Sequence, residues 1–202
     1  MRIRDFRYGP EEVDCRLCTR YRGKHSCDRL RCPWLLERIE AGTVSYEEAL
    51  AALFNHRSTL YPRIRRMLQS GVKSIWLEPE HRWRMEVCSA RQTCRRRRDK
   101  SRYAGAVYLL TATPELTERT KECFWNRAIH FQCVLRRGIG IQDYTLLSAA
   151  RGIYQGKGGL TVSELMDPEI VDDTVFQLVV NGLLIAAYGS PALQLERGEV
   201  LR

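Results

Sequence analysis

Four closely spaced cysteines constrain the fold of this chain more than any other feature of its sequence. Cys15, Cys18, Cys27 and Cys32 have the spacing C-x2-C-x8-C-x4-C. A C-x2-C pair lets two thiolates hold one ion from a tight turn, and a second pair completes a tetrahedron of soft ligands, which zinc prefers. The pattern therefore predicts a closed, structural zinc site with these four cysteines as ligands.

Two alternatives to this ligand set stay open on the sequence alone. His25 lies two residues before Cys27 and is a rival ligand, and the cysteines could instead be free thiols or disulfides. The N-terminal segment MRIRDFRYGPEEVD has no apolar stretch of the kind found in secretory signals. Eight cysteines without such a signal favour a reducing compartment and metal binding. We therefore expect a cytoplasmic protein.

The other four cysteines offer a weaker pattern. Cys88, Cys94, Cys123 and Cys133 are spaced C-x5-C-x28-C-x9-C, which is not a familiar metal-binding arrangement. A second metal site from these cysteines, or from some of them with His81 and His130, is therefore the less favoured interpretation. Buried free cysteines, which pack as small hydrophobic side chains, are favoured instead.

The positive charge of the chain is unevenly distributed. The net charge is +9, but residues 1–142 contain 29 Lys/Arg and 16 Asp/Glu, whereas residues 143–202 contain 4 and 8. The basic part suits contact with DNA, RNA or a nucleoprotein. The alternative is a solvated basic surface that keeps the protein soluble. No apolar run of the length that spans a membrane occurs, so we expect no membrane contact.

Periodic apolar residues and helix-capping signals predict a mainly α fold with minor β structure. Pro33 and Gly42 bracket one helix, Ser45 and Glu48 form a capping box before the next, and Pro62 opens a third. In this third helix Ile64, Met67 and Leu68 share the inner face, and the arginines are expected to project elsewhere. Those arginines are Arg63, Arg65 and Arg66.

The C-terminal half has a helix-turn-helix-like order. Thr113, Asp143 and Ser163 are predicted N-caps, with short extended stretches at 160–162 and 192–195, and a long helix covers about 173–187. A DNA-reading helix needs Arg, Lys, Asn or Gln on an exposed face. This long helix has no Lys or Arg and is apolar on nearly all sides, so we expect it to be buried rather than to read DNA.

A basic, aromatic segment joins the two halves. Residues 82–102 contain nine Lys/Arg and two acids, whereas residues 72–78 offer at most a short strand. Because Arg and Trp often dominate binding energy at interfaces, the segment is a candidate partner-binding surface. Its predicted contact residues are Arg82, Trp83, Arg95, Arg96, Arg97 and Arg98. The alternatives are a solvated loop, or a tryptophan that anchors the segment to the body.

We find no catalytic constellation in the sequence. The histidines His25, His56, His81 and His130 are scattered and form no familiar catalytic spacing with carboxylates. Signatures of zinc deaminases, serine hydrolases, metalloproteases and P-loop proteins do not occur. The turn QGKGG follows a helix and lacks the Lys-Ser/Thr pair of a phosphate loop, so it is interpreted as a helix C-cap and loop. We therefore predict a protein that is not an enzyme.

Three stretches of the chain resemble a known group of proteins. They are residues 13–50, the sequence LLTATPEL at 109–116, and residues 143–189. They resemble small zinc-cysteine proteins carried by phages and conjugative elements of Gram-positive bacteria. The resemblance implies cargo that regulates such an element or blocks host defence, as anti-CRISPR proteins do. It assigns no residue roles.

These observations together predict three regions. Residues 1–71 are a zinc-binding helical module, 72–103 a basic Arg/Trp-rich connecting segment, and 104–202 a helical C-terminal domain. We expect a non-enzymatic zinc protein that binds and blocks a host-defence protein or nucleoprotein such as a Cas9-type CRISPR nuclease. The alternative is a nucleic-acid-binding accessory or regulatory protein of the element.

Overall fold

The computed structural model describes residues 9–15, 18, 32, 34–54, 58–70, 74–89, 97–125 and 128–195, with the backbone alone at 10–11 and 97–99. These residues are mainly helical, as predicted. The helices are α1 (Leu35–Glu40), α2 (Tyr46–Leu53), α3 (Tyr61–Gln69), α4 (Pro79–Ser89), α5 (Arg97–Leu110), α6 (Pro114–Thr120), α7 (Ile141–Gln155), α8 (Val162–Met166) and α9 (Asp173–Tyr188).

Short 3-10 turns and one small hairpin complete the described elements. The 3-10 turns are Pro10–Val13, Lys121–Cys123, Phe131–Cys133 and Ser190–Gln194. The hairpin pairs β1 (Phe124–Trp125) with β2 (Ala128–Ile129) in antiparallel fashion, with Phe124 opposite Ile129. The extended stretches predicted at 160–162 and 192–195 are wrong, because α8 begins within the first and the last 3-10 turn includes most of the second.

The centre of the fold is the packing of α5 and α7 on α9. Gly105 of α5 lies so close to α9 that a Cβ atom there would be 2.5 Å from the backbone oxygen of Gly182. A Cβ on Gly182 would in turn be 2.9 Å from Cγ of Leu109. Glycine at both positions therefore permits a backbone approach that any larger side chain would prevent.

Helix α9 is buried on nearly all sides. Phe176, Val180, Leu184 and Ile185 each have at most 1% of their surface exposed. Asp172 begins the helix by accepting a hydrogen bond from the Val175 amide at 2.8 Å. Burial of this helix was predicted from its apolar circumference and is confirmed.

A buried polar cluster joins four segments around Asn181 of α9. The hydroxyl of Tyr46 (α2) donates to Asn181 Oδ1 at 2.6 Å, and Asn181 Nδ2 donates to the Ile75 carbonyl at 3.3 Å. Asn181 Nδ2 also reaches the Tyr108 hydroxyl (α5) at 3.2 Å, and that hydroxyl donates to the same Ile75 carbonyl. Each polar atom of the asparagine thus has a partner, which offsets the cost of burying it.

The prediction that the arginines of α3 project away from the core is wrong for Arg63, which is buried. The residue is 2% exposed, and its guanidinium donates to the carbonyls of Leu165, at 2.7 Å, and Val171. The guanidinium also stacks 4.4 Å from the ring centroid of Phe176. Arg65 and Arg66 are exposed, as predicted. Arg63 therefore joins α3 to α8 and to the loop between α8 and α9.

Two of the predicted helix starts are confirmed by hydrogen bonds. Ser45 Oγ accepts from the Glu48 amide at 3.1 Å, and the Glu48 carboxylate accepts from the Ser45 amide. Thr113 Oγ1 accepts from the Leu116 amide at 3.1 Å, so it is the N-cap of α6. These caps satisfy amide groups that the first helical turn leaves without an intrahelical acceptor.

The other two predicted caps are wrong. Helix α7 begins earlier than predicted, with Gly140 as its N-cap, and Asp143 instead accepts a hydrogen bond from Thr113 Oγ1 at 2.8 Å. Helix α8 is capped by Thr161, whose hydroxyl accepts from the Glu164 amide, rather than by Ser163. At the start of α8, two hydroxyl residues two positions apart, Thr161 and Ser163, could each have served as the cap, and the capping box with Glu164 forms at Thr161.

Helix α4 occupies a segment for which a partner-binding surface or a solvated loop, but no helix, was predicted, and the short strand suggested at 72–78 does not occur in the described part of that stretch, residues 74–78. Residues 75–78 are bends, and the helix runs from Pro79 to Ser89. Helix α5 then begins at Arg97 and continues through the predicted boundary at residues 103 and 104. One hydrophobic cluster contains buried residues from α2 and α3 as well as from α5, α7 and α9.

Candidate functional site

The two faces of α4 have different environments. His81, Arg84 and Met85 point inward and are buried, whereas Arg82 and Trp83 are exposed. Residues one helical turn apart share a face, so 81, 84 and 85 form one side of this helix and 82 and 83 lie away from it. The inner side attaches the helix to the body, and the outer side is accessible to a partner.

His81 attaches α4 to α5. Its Nε2 lies 2.8 Å from the backbone oxygen of Tyr108, and its Nδ1 accepts a hydrogen bond from the Leu77 amide at 3.3 Å. Because Nδ1 accepts, the proton is on Nε2 and the ring is neutral. Burial lowers the pKa of His81 from 6.5 to about 4, which keeps the ring in this form near neutral pH.

Arg84 caps the C-terminal end of α5. Its Nε donates to the Thr111 carbonyl at 2.9 Å and its Nη2 donates to the Ala112 carbonyl at 2.8 Å. Glu78 pairs with the same Nη2 at 2.8 Å. A cation at this position is favourable, because the carbonyls at a helix C-terminus carry partial negative charge. His81 and Arg84 together fix the orientation of α4 on α5.

Two tryptophans near this helix have opposite surroundings. Trp76 is half-buried, packs edge-on against His81 at 5.2 Å between ring centroids, and lies 5.7 Å from Tyr108. Trp83 is 65% exposed. The tryptophan that anchors this segment to the body is therefore Trp76, and Trp83 projects outward from a fixed helix.

The outer surface of α4 combines exposed apolar side chains with charged side chains of both signs. Val87, one turn after Trp83, is 44% exposed. Arg82 pairs with Glu86 at 2.9 Å, with both side chains more than half exposed, and Glu80 is a further exposed acid. An exposed pair of this kind contributes little to stability. We call Arg82, Trp83, Glu86 and Val87 the α4 surface.

The remaining predicted contact residues are described only in part. Arg95 and Arg96 lie outside the described residues. Arg97 and Arg98 are the first two residues of α5, and only their backbone is described. The structure therefore places Arg82 and Trp83 on one helix but gives no geometry between them and the arginine run.

The predicted zinc ligands are likewise described in part. Cys15, Cys18 and Cys32 are partly buried, and Cys27 and the rival ligand His25 lie outside the described residues. The Cys18 amide donates to the Cys15 carbonyl at 3.1 Å, which closes a tight turn between them. Among the described residues, no three His, Cys, Asp or Glu side chains are grouped as a metal ion would require.

The possible second metal site has no support among the residues that the structure describes. Both ring nitrogens of His81 are already hydrogen-bonded. Cys123 is fully buried, and burial raises the pKa of its thiol to about 11, which disfavours the thiolate that a metal needs. His130 stacks on Trp125 with ring centroids 3.8 Å apart. Cys94 lies outside the described residues.

One pair of cationic side chains was not predicted from the sequence to lie together. Arg102 of α5 and Lys157, in the turn QGKGG, both line a groove beside α7 and α9. The two residues are more than fifty positions apart, and their proximity depends on the packing of α5 against α7. The sequence carried no local signal for it.

Comparisons with protein-family models, with curated proteins and with solved structures gave no match to this chain. Within the residues that the structure describes, no helix is both long and apolar enough to cross a membrane.

Proposed function

We propose that this chain is a non-enzymatic binding protein that docks on a macromolecular partner through the α4 surface. The observation that carries the proposal is Trp83, which is 65% exposed on a helix whose opposite side is fixed by His81 and Arg84. A large aromatic side chain on a rigid element loses little conformational entropy on binding and buries much apolar area. Tryptophan and arginine are also the residues most enriched among binding hot spots.

The composition of the α4 surface favours a protein partner. Its charged residues are Arg82 and Glu86, and Glu80 is a further exposed acid on the same helix, so the surface has no excess of positive charge. Trp83 and Val87 add an apolar strip along one side of the helix. Interface centres are depleted in charge and enriched in aromatic residues, whereas nucleic-acid surfaces are strongly basic.

The resemblance to proteins of mobile elements supports the identity we propose for the partner. It is a host-defence protein or nucleoprotein, such as a Cas9-type CRISPR nuclease, which the bound chain blocks by occlusion. We further propose that Cys15, Cys18, Cys27 and Cys32 hold one structural zinc ion. The tight turn from Cys15 to Cys18 and the partial burial of three of the cysteines support this ligand set.

The first test removes the side chain that carries the proposal. Trp83→Ala is expected to weaken binding to the partner by roughly thirtyfold or more, because truncating a hot-spot tryptophan costs about 2 kcal/mol or more. The partner is identified by affinity capture from bacterial lysate with and without nuclease treatment, and the affinity of each variant is then measured by titration. The melting temperature should be unchanged, since Trp83 is mostly exposed.

Trp125→Ala is the matched control for that test. Trp125 is a tryptophan of similar exposure, 48%, on the β1–β2 hairpin rather than on α4. Its removal is expected to leave partner affinity unchanged. Equal affinities of wild type and Trp83→Ala for the captured partner would contradict the proposal.

The second candidate function is nucleic-acid binding through the arginine run, and the density of basic residues from Arg91 to Arg102 favours it. The helix-turn-helix-like order proposed for α7, α8 and α9 does not contribute to this function, because α9 is buried. The run would instead contact phosphates.

Charge reversal of Arg95, Arg96, Arg97 and Arg98 to glutamate tests the second candidate. If the run binds phosphates, the wild type should bind single- or double-stranded DNA with an affinity that falls steeply as salt rises, and the reversed chain should not bind. The measurement is a salt titration of fluorescence anisotropy with labelled DNA. Binding that is insensitive to salt, or unchanged by the reversal, would reject nucleic-acid binding through this run.

A further inference from the structure

A groove of about 420 Å³ lies beside α5, α7 and α9 and is bordered by the loop after α7. Its lining is largely aliphatic and includes Ile153, Leu160, Leu165, Val179 and Leu183. Among the residues that the structure describes, no aromatic and no acidic side chain lines it. The groove therefore offers an apolar floor for a ligand of modest size.

Two cations line this groove, and no described residue neutralises either of them. Arg102 is half-buried and Lys157 is exposed, and neither forms an ion pair or a side-chain hydrogen bond within the described part of the chain. A half-buried guanidinium has lost part of its hydration and gains most from a carboxylate, which it can bind through two parallel hydrogen bonds. The groove thus combines aliphatic surface with a local excess of positive charge.

Close backbone approaches at glycines allow Arg102 and Lys157 to line the groove. Gly156 ends α7 with a φ of +71°, and a Cβ atom there would lie 2.9 Å from Nη1 of Arg102. The loop then folds back onto α7, where a Cβ on Gly152 would lie 2.7 Å from the Gly158 oxygen. The turn QGKGG, interpreted from the sequence as a C-cap and loop, therefore also forms one wall of the groove and carries Lys157.

We propose that this groove binds an aliphatic side chain, flanked by carboxylates, from an acidic segment of a protein partner. The aliphatic side chain occupies the floor, and the carboxylates pair with Arg102 and Lys157. A nucleotide fits less well, because bases are held by aromatic stacking and by side chains that bond their edges, and the groove has an aliphatic lining. The inference deepens the proposed docking function and rests on it, but it concerns a surface separate from the α4 surface.

The test is a selection of random dodecapeptides displayed on phage, carried out on the full chain. The selected peptides are expected to share an Asp/Glu-rich consensus around one Leu, Ile or Met. The double variant Arg102→Gln with Lys157→Gln should weaken a labelled consensus peptide about tenfold, as expected for the loss of two ion pairs, one of them half-buried. Ala187→Trp, at an exposed lining position, should block the same peptide while leaving both charges in place.

A charge-matched control distinguishes ion pairing at Arg102 and Lys157 from a general electrostatic attraction between the chain and an acidic peptide. Arg151→Gln with Lys121→Gln removes two exposed cations that do not line the groove, and it should leave peptide affinity within about twofold. A consensus without acidic residues, equal losses in the two double variants, or peptide binding unaffected by Ala187→Trp would overturn the proposal. The proposal would also be overturned if the wild type bound a short single-stranded DNA more tightly than the peptide and the Arg102/Lys157 double variant abolished that DNA binding.

The groove proposal and the α4-surface proposal can be rejected independently of each other. Trp83→Ala should bind the selected peptide as the wild type does, because Trp83 does not line the groove. A chain that retains peptide binding but captures its partner equally well without Trp83 would reject the α4 surface and leave the groove proposal intact.

Discussion

Replacing Arg63 with methionine is expected to lower the free energy of unfolding by about 3 kcal/mol. The guanidinium donates to the carbonyls of Leu165 and Val171 in a site where the arginine is 2% exposed. Methionine matches much of the aliphatic length of arginine but leaves both carbonyls without this donor, and each unsatisfied buried group costs about 1–3 kcal/mol. The measurement is chemical denaturation followed by circular dichroism.

The ion pair of Arg63 with Asp173 contributes little to that expected loss. The two groups are 3.0 Å apart, but the Asp173 side chain is 94% exposed, so water screens the attraction. Asp173→Asn should therefore change stability by less than about 1 kcal/mol. The matched control for Arg63→Met is Arg66→Met on the exposed side of α3, which should be nearly neutral. Similar losses from the two arginine substitutions would contradict the buried-donor role of Arg63.

The second large effect is expected at the proposed zinc site. Serine at position 18 cannot supply a thiolate, so Cys18→Ser should reduce bound zinc well below one ion per chain. Structural zinc contributes on the order of 10 kcal/mol of binding free energy in small modules, and that energy is coupled to folding of the region around it. We therefore expect the N-terminal region of Cys18→Ser to become sensitive to proteolysis, with zinc content measured by elemental analysis.

Cys133→Ser is the control for the zinc experiment. Cys133 is exposed and outside the proposed ligand set, so its replacement should leave zinc content and proteolytic resistance unchanged. A wild-type chain with less than one zinc ion, or a Cys18→Ser chain with wild-type zinc content and resistance, would reject the site. Equal losses in the two variants would instead assign Cys133 to the metal.

Local signals in the sequence predicted part of the local structure. The Ser45–Glu48 capping box and the Thr113 cap involve residues three positions apart, so their hydrogen bonds follow from the chain alone. The apolar circumference of α9 was likewise enough to predict its burial.

Helix α4 was not predicted from the sequence because the residues on its buried side are mostly polar rather than apolar. Two of its three buried residues, His81 and Arg84, are polar, and they are satisfied by carbonyls at the end of α5 that lie 27 or more positions away. Without those carbonyls the segment has no amphipathic pattern to indicate a helix. Arg63 was misassigned for the same reason, since its acceptors are more than a hundred residues distant.

The candidate site was predictable in composition but not in geometry. The sequence showed that tryptophan and arginine are concentrated near residue 83, yet it could not distinguish Trp76, which packs on His81, from Trp83, which is exposed. The groove with Arg102 and Lys157 depends on the approach of α5 to α7, which only tertiary packing establishes.

The cluster around Asn181 has a consequence for how such a gene can be inherited. Its hydrogen bonds connect Tyr46 near the start of the described helices, Ile75 in the middle of the chain, and α9 near its end. A recombination event that exchanged either half for an unrelated sequence would leave buried hydrogen-bonding groups of the other half without partners. The two halves of the chain therefore keep these hydrogen bonds only when they are inherited together.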